Sequence, residues 1–169
     1  MLALHRPDTR VLAWLLCFPL AGTYAQVGGA DDMPRFGWLR QLVGACWQGR
    51  TADGTPTDTQ CYELQYGKFL RGTIAIPSAG LLGDSVWAWD EAGKRITLTA
   101  WSSSGAITNG EAYFEGDAVV FPVQRRDGAK PTSRTRWQRI DADSFQVTRQ
   151  RRAEADWADV AAFTYQRVR

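Results

Sequence analysis

Apolar positions follow two rhythms along the chain. Between residues 31 and 44, Phe36, Leu39, Leu42 and Val43 recur at helical spacing, behind Asp31 and Asp32 as N-cap candidates and Pro34 in the first turn. This pattern predicts one short helix. Beyond Gly44 the rhythm shortens to alternation, and clusters of Gly, Asp, Asn and Pro cut the chain into short β-type runs. Strands are expected over 45–50, 58–66, 69–77, 85–90, 95–102, 106–114, 118–123, 133–140, 144–152 and 161–167. Asp53-Gly54, Glu91-Ala92-Gly93-Lys94, Gly116-Asp117 and Asp127-Gly128 carry turn chemistry, so the strands they join are antiparallel neighbours. The expected fold class is all-β, an antiparallel up-and-down meander with one short N-terminal helix. Closing about ten strands into a barrel removes the edges that an open sheet would expose. A two-sheet sandwich is the alternative.

Charge sets the register of one hairpin. A two-residue turn between 133–140 and 144–152 would put Arg136 against Arg149 and Arg134 against Arg151, and like charges directly opposite are unfavourable. A three-residue turn, Asp141-Ala142-Asp143, places Trp137 opposite Val147 and Arg139 opposite Phe145. One face then carries Thr135, Trp137, Arg139, Phe145, Val147, Arg149 and Arg151, apolar at its centre with arginines beyond. The other face is polar throughout. An outer-membrane barrel needs a lipid-facing band free of charge, and both faces of this hairpin carry arginine.

The N-terminus has a different logic. Arg6 and Arg10 precede the apolar run Val11 to Gly22, and Thr23-Tyr24-Ala25 supplies small residues before Gln26, the layout of a secretory signal. Residues 1–25 are expected to be removed and 26–169 to form a single domain that is exported, either periplasmic or secreted. Leu16 before Cys17 is too large for a lipoprotein box. Cleavage would delete Cys17 and His5, leaving Cys46 and Cys61 to pair in an oxidising compartment. A simple Asp53-Gly54 hairpin sets these two opposite each other at a hydrogen-bonded site, with a Cα separation of about 5.5 Å.

The signal, the helix Phe36-Gly37-Trp38-Leu39, the run Leu42-Val43-Gly44-Ala45-Cys46-Trp47 and the segment from Tyr62 to Arg71 together resemble the secreted bacterial lipocalin-like (calycin-type) proteins of unknown function. The resemblance runs from about Phe36 to Arg167. It implies a small antiparallel barrel with a cavity for an apolar ligand, and it implies no reaction.

Composition narrows the chemistry. A formal net charge of +2 is too mild to argue for nucleic acid, and the chain has no apolar stretch of about 18 residues that would span a membrane as a helix. Without histidine in 26–169 there is no Ser-His-Asp or Cys-His unit and no histidine ligand for zinc or haem. No catalytic residue, metal or cofactor is assigned, although a tyrosinate such as Tyr62 or Tyr113 remains conceivable for haem. Glu63, Asp90, Glu111 and Glu115 are the carboxylates placed by position for acid-base work, with no specific spacing. Arginine is skewed: from Pro122 to Arg169 the balance is 11 − 6 = +5, and from Gln26 to Phe121 it is 7 − 11 = −4. Either these guanidiniums pair with the acidic half or they form an anion-binding wall.

The ligand-binding residues expected on this basis are Trp137, Arg149, Arg151, Tyr165 and Arg167, the last two sharing parity with Phe163 on the final strand. They would hold the carboxylate head and carbon tail of a fatty-acid-like anion, with Arg149 neutralised by that anion or by an internal acid such as Glu111. Two functions remain open: a non-catalytic barrel that binds an apolar or amphipathic anion, or an envelope interaction protein whose barrel is filled by its own side chains.

Overall fold

The computed structural model describes residues 33–123, 130–154 and 156–168. The expected signal, the N-cap aspartates Asp31 and Asp32, and the Asp127-Gly128 turn lie outside the described residues. Among those described, ten strands form a closed antiparallel barrel. They are β1 (Ala45–Arg50), β2 (Pro56–Gln65), β3 (Phe69–Ile76), β4 (Leu81–Asp90), β5 (Arg95–Ser102), β6 (Ile107–Glu115), β7 (Ala118–Pro122), β8 (Ser133–Arg139), β9 (Ser144–Ala153) and β10 (Asp156–Val168). Each pairs with its neighbours in sequence, and β1 closes the ring on β10. The sandwich alternative is thereby replaced by a barrel with no free edge.

Two strands run longer than their sequence pattern suggests. Strand β4 starts at Leu81 because Leu81 to Asp84 pair with Thr73 to Ile76, and β10 starts at Asp156 because its first residues pair with the end of β9. A register shift between Asp159 and Ala161 keeps Phe163 opposite Val147 and Tyr165 opposite Phe145. The β8–β9 hairpin has the three-residue turn register, with Trp137 opposite Val147 and Arg139 opposite Phe145.

The N-terminal segment is not one regular helix. Met33–Leu42 is a 3-10 helix broken at Gly37, whose φ of 54° lies in the left-handed region. A Cβ at Gly37 would also stand 3.0 Å from the Phe114 ring. The break folds the segment over one mouth of the barrel, so that Phe36, Leu39 and Leu42 are fully buried in the same core as Trp47 and Phe145. Trp47 Nε1 donates to the Leu42 carbonyl at 3.3 Å, tying plug to wall. The turns after β2, β4, β6 and β8 surround this closed end. The turns after β1, β3, β5 and β9 surround the other.

Cys46 and Cys61 face each other across β1 and β2 and are joined by a disulfide. Their Cα separation is 4.0 Å, the narrow spacing of a non-hydrogen-bonded pair rather than the wider one expected from a simple hairpin. The loop closes instead through Thr51 N donating to Thr55 O, and the register shifts between Gln48 and Arg50.

Candidate functional site

Side-chain size divides the interior into two halves. Toward the closed end the bore is filled with rings: Trp137 stacks on Phe145 at 5.3 Å, Phe145 on Tyr165 at 4.8 Å, and Trp47 meets Phe145 edge-on at 5.3 Å. Toward the open end the inward positions of adjacent strands are small. Gly72, Ser85, Ala100 and Thr108 form one cross-strand row, and Gly83 faces Ser102 in the next. These rows leave a cavity of about 230 Å³ whose lining includes Tyr62, Ile74, Leu81, Trp87 and Trp137. Trp87 and Trp137, 5.7 Å apart, are where the filled half meets the hollow one.

A buried polar chain runs along the wall. Asp58 is 9% exposed and accepts from Thr57 Oγ1 at 2.7 Å, Gln60 Nε2 at 2.8 Å and Tyr165 Oη at 2.9 Å. Gln60 Nε2 also reaches Tyr165 Oη at 3.1 Å, and Gln60 Oε1 accepts the Tyr62 hydroxyl proton. Gly49 makes room for this cluster, because a Cβ there would stand 2.8 Å from both Asp58 Oδ1 and Tyr165 Cζ. Burial pushes the hydroxyls of Tyr62 and Tyr165 well above the ordinary tyrosine range, with the charge of Asp58 adding to it. The Tyr62 hydroxyl, named above as a conceivable haem ligand, is engaged with Gln60 in this chain. Tyr113 lies on a different strand, β6, and is exposed on the outer face.

The sequence-predicted site residues separate. Trp137 lines the cavity, and Tyr165 belongs to the polar chain. Arg149 pairs in register with Thr135 and Ala161 on the inward face, stacks over Phe163 at 5.3 Å, and lowers the hydroxyl of Tyr165 against the larger effect of burial. Arg151 is one inward step further toward the open mouth, opposite Ser133 and Ala158. Both guanidinium side chains are exposed there, and among the described residues no carboxylate lies within salt-bridge distance of either. Arg167 sits at the opposite end. It packs over Trp47 at 4.7 Å, donates to the Gln41 carbonyl at 2.9 Å and pairs with Asp143 at 3.0 Å, so it pins the plug instead of joining the cavity.

The expected carboxylates are on the outside. Glu63 pairs with Arg71, Asp90 and Glu111 with Arg95, and Glu115 with Arg134. Glu111 is therefore not the internal partner of Arg149; among the described residues the buried acid is Asp58, which a count of charges does not single out. Its signal was strand parity, since Asp58, Gln60 and Tyr62 alternate onto one face. Of the skewed arginines, Arg134 is paired to the acidic half, and Arg149 and Arg151 stand exposed toward the open mouth. No family model matches the chain, and no curated protein matches it in sequence.

Proposed function

We propose that this chain is an exported, non-catalytic barrel related to the lipocalin-like proteins, and that it binds a small amphipathic anion through its open end. The observation that carries the reading is an apolar, ring-floored cavity that opens at the end of the barrel where Arg149 and Arg151, at inward-parity strand positions, stand exposed outside its lining. Guanidinium binds carboxylate and phosphate through parallel hydrogen bonds, and an apolar pocket with few polar groups is the usual form of a small-molecule site. The Cys46–Cys61 disulfide supports an oxidising compartment. The absence of histidine from 26–169 and the outward, ion-paired placement of the candidate acids support a binding role over a reaction.

Size refines the ligand. At about 230 Å³ the cavity is below the range of about 300–1,000 Å³ common for drug-sized ligands, so a long acyl chain would overfill it. Its aromatic floor suits a two-ring aryl acid. Calorimetric titration with 2-naphthoate and with 2-naphthalenemethanol tests this: the acid should bind at least about tenfold more tightly, one charge-assisted contact's worth. Equal affinity would remove the anion preference, and no heat from either would remove the binding role. The filled closed half favours the second reading, an interaction protein without a small ligand, and that result would select it.

A further inference from the structure

The polar wall of the cavity has a direction, and the direction restricts what the inner end of a ligand can be. Asp58 is an acceptor, so the Gln60 atom beside it is the amide nitrogen and the Tyr165 oxygen beside it is a donor. With both Gln60 protons spent on Asp58 and Tyr165, its carbonyl oxygen turns to Tyr62 and takes that hydroxyl's proton. Trp87 Nε1 is likewise spent, donating to Ser85 Oγ at 2.9 Å, and the Ser85 hydroxyl donates on to the Gly72 carbonyl at 3.3 Å. All four of these side chains line the cavity. The donors of Gln60, Tyr62, Ser85 and Trp87 are thus committed within the protein. What Tyr62 and Ser85 still offer the cavity is oxygen lone pairs.

We infer that the site selects a ligand whose inner end carries a hydrogen-bond donor, a hydroxyl or an N–H, received by Tyr62 Oη, with Asp58 acting as the positioning residue that fixes the direction of the chain. This rests on the binding role proposed above and deepens it: the ligand class becomes an aryl acid with its anionic group at Arg149 and Arg151 and a hydroxyl or N–H at its far end. An acceptor placed against Tyr62, which is 5% exposed, would face a lone pair, and an unmade buried hydrogen bond is costly.

Calorimetric titration of the whole mature chain with 6-hydroxy-2-naphthoate, 2-naphthoate and 6-methoxy-2-naphthoate tests it. The hydroxy acid should bind at least about tenfold more tightly than the methoxy acid, with the unsubstituted acid between them. In Tyr62→Phe, which keeps the ring and removes the acceptor, the hydroxy-to-methoxy ratio should fall to about twofold or less. Asp58→Asn provides a second handle, because an amide at 58 can donate to Gln60, turn its amide over and make Tyr62 an acceptor's partner; the preference should then vanish or reverse while near-ultraviolet dichroism shows the rings still packed. Equal binding of all three acids to the wild-type chain would overturn the directional chain and leave the binding role standing. No binding of any would overturn both. An unchanged ratio in Tyr62→Phe would assign the preference elsewhere and sink the inference.

Discussion

Tyr165 Oη lies 2.9 and 3.1 Å from the two oxygens of Asp58, a residue 107 positions away in sequence, and donates its proton to that carboxylate. The bond joins the last strand to the second across the closing β1. Tyr165→Phe would leave Asp58 with one fewer donor inside the wall and is expected to cost about 1–3 kcal/mol of unfolding free energy. The same pair sets an alkaline limit. Burial first, and then the charge and hydrogen bond of Asp58, hold the Tyr165 hydroxyl protonated well above its ordinary value of 10.0, and Tyr62 is shifted in the same direction. The folded chain therefore keeps protons that the unfolded chain releases. This contribution is complete below about pH 10 and is lost as pH rises from there toward the folded values. Urea midpoints should fall steeply above about pH 10, and less steeply in Tyr165→Phe; parallel curves would show that the buried hydroxyls do not set the limit.

The disulfide acts on the unfolded chain. Cys46 and Cys61 face outward, 15 residues apart, so their reduction removes a cross-link without opening the core. Loop-closure entropy puts the loss at about 3 kcal/mol, and the double variant Cys46→Ala, Cys61→Ala should match the chemically reduced protein. Two titratable thiols in denatured material made in an oxidising compartment would refute the pairing there.

Strand positions were legible because turn residues and period-two alternation act locally, and the β8–β9 register was legible because two arginine pairs penalised the wrong one. Arg149 and Tyr165 followed from parity on their own strands. The fate of Arg167 did not, because parity says which face a residue takes and not which end of the bore it occupies. Asp58 was hidden for a related reason: a carboxylate reads as surface until the donors that satisfy it, Gln60 beside it and Tyr165 far along the chain, are brought together by closure. The hollow half was hidden because small residues leave no periodic mark; Gly72, Ser85 and Ala100 form a row only after β3, β4 and β5 are paired.

The plug depends on Gly37 and the residues it folds inward. Gly37→Ala would meet both a positive φ and the Phe114 ring, and is expected to destabilise by more than about 1 kcal/mol. Leu39→Ala should cost about 2–5 kcal/mol, since Leu39 is fully buried. Thermal or urea unfolding measures both, and a neutral Leu39→Ala would mean that the segment rests on the barrel without closing it.

The hollow half can be filled by design. Ala100 lies in the row of small residues and lines the cavity. Ala100→Leu places three more carbons there, which should lower 2-naphthoate affinity by about tenfold or more while overpacking costs no more than about 3 kcal/mol. Retained affinity with intact folding would place the ligand elsewhere on the molecule.

The two ends of the barrel give the arginines opposite roles, and that contrast can be measured. Arg149 faces the open mouth with no carboxylate at salt-bridge distance among the described residues, whereas Arg167 is held by Trp47, Gln41 and Asp143 at the closed end. Arg149→Gln keeps a polar side chain over Phe163 and removes the charge. It should narrow the preference for 2-naphthoate over 2-naphthalenemethanol from about tenfold toward unity by weakening the acid alone, with little change in unfolding free energy, because an exposed guanidinium contributes little to stability. Arg167→Gln should do the reverse: it loses the plug's hydrogen bond and the stacking on Trp47, lowers stability by about 1–2 kcal/mol, and leaves the acid-to-alcohol ratio intact. If Arg167→Gln narrowed the ratio and Arg149→Gln did not, the anion would have to enter beside the plug, and the open mouth would lose its role.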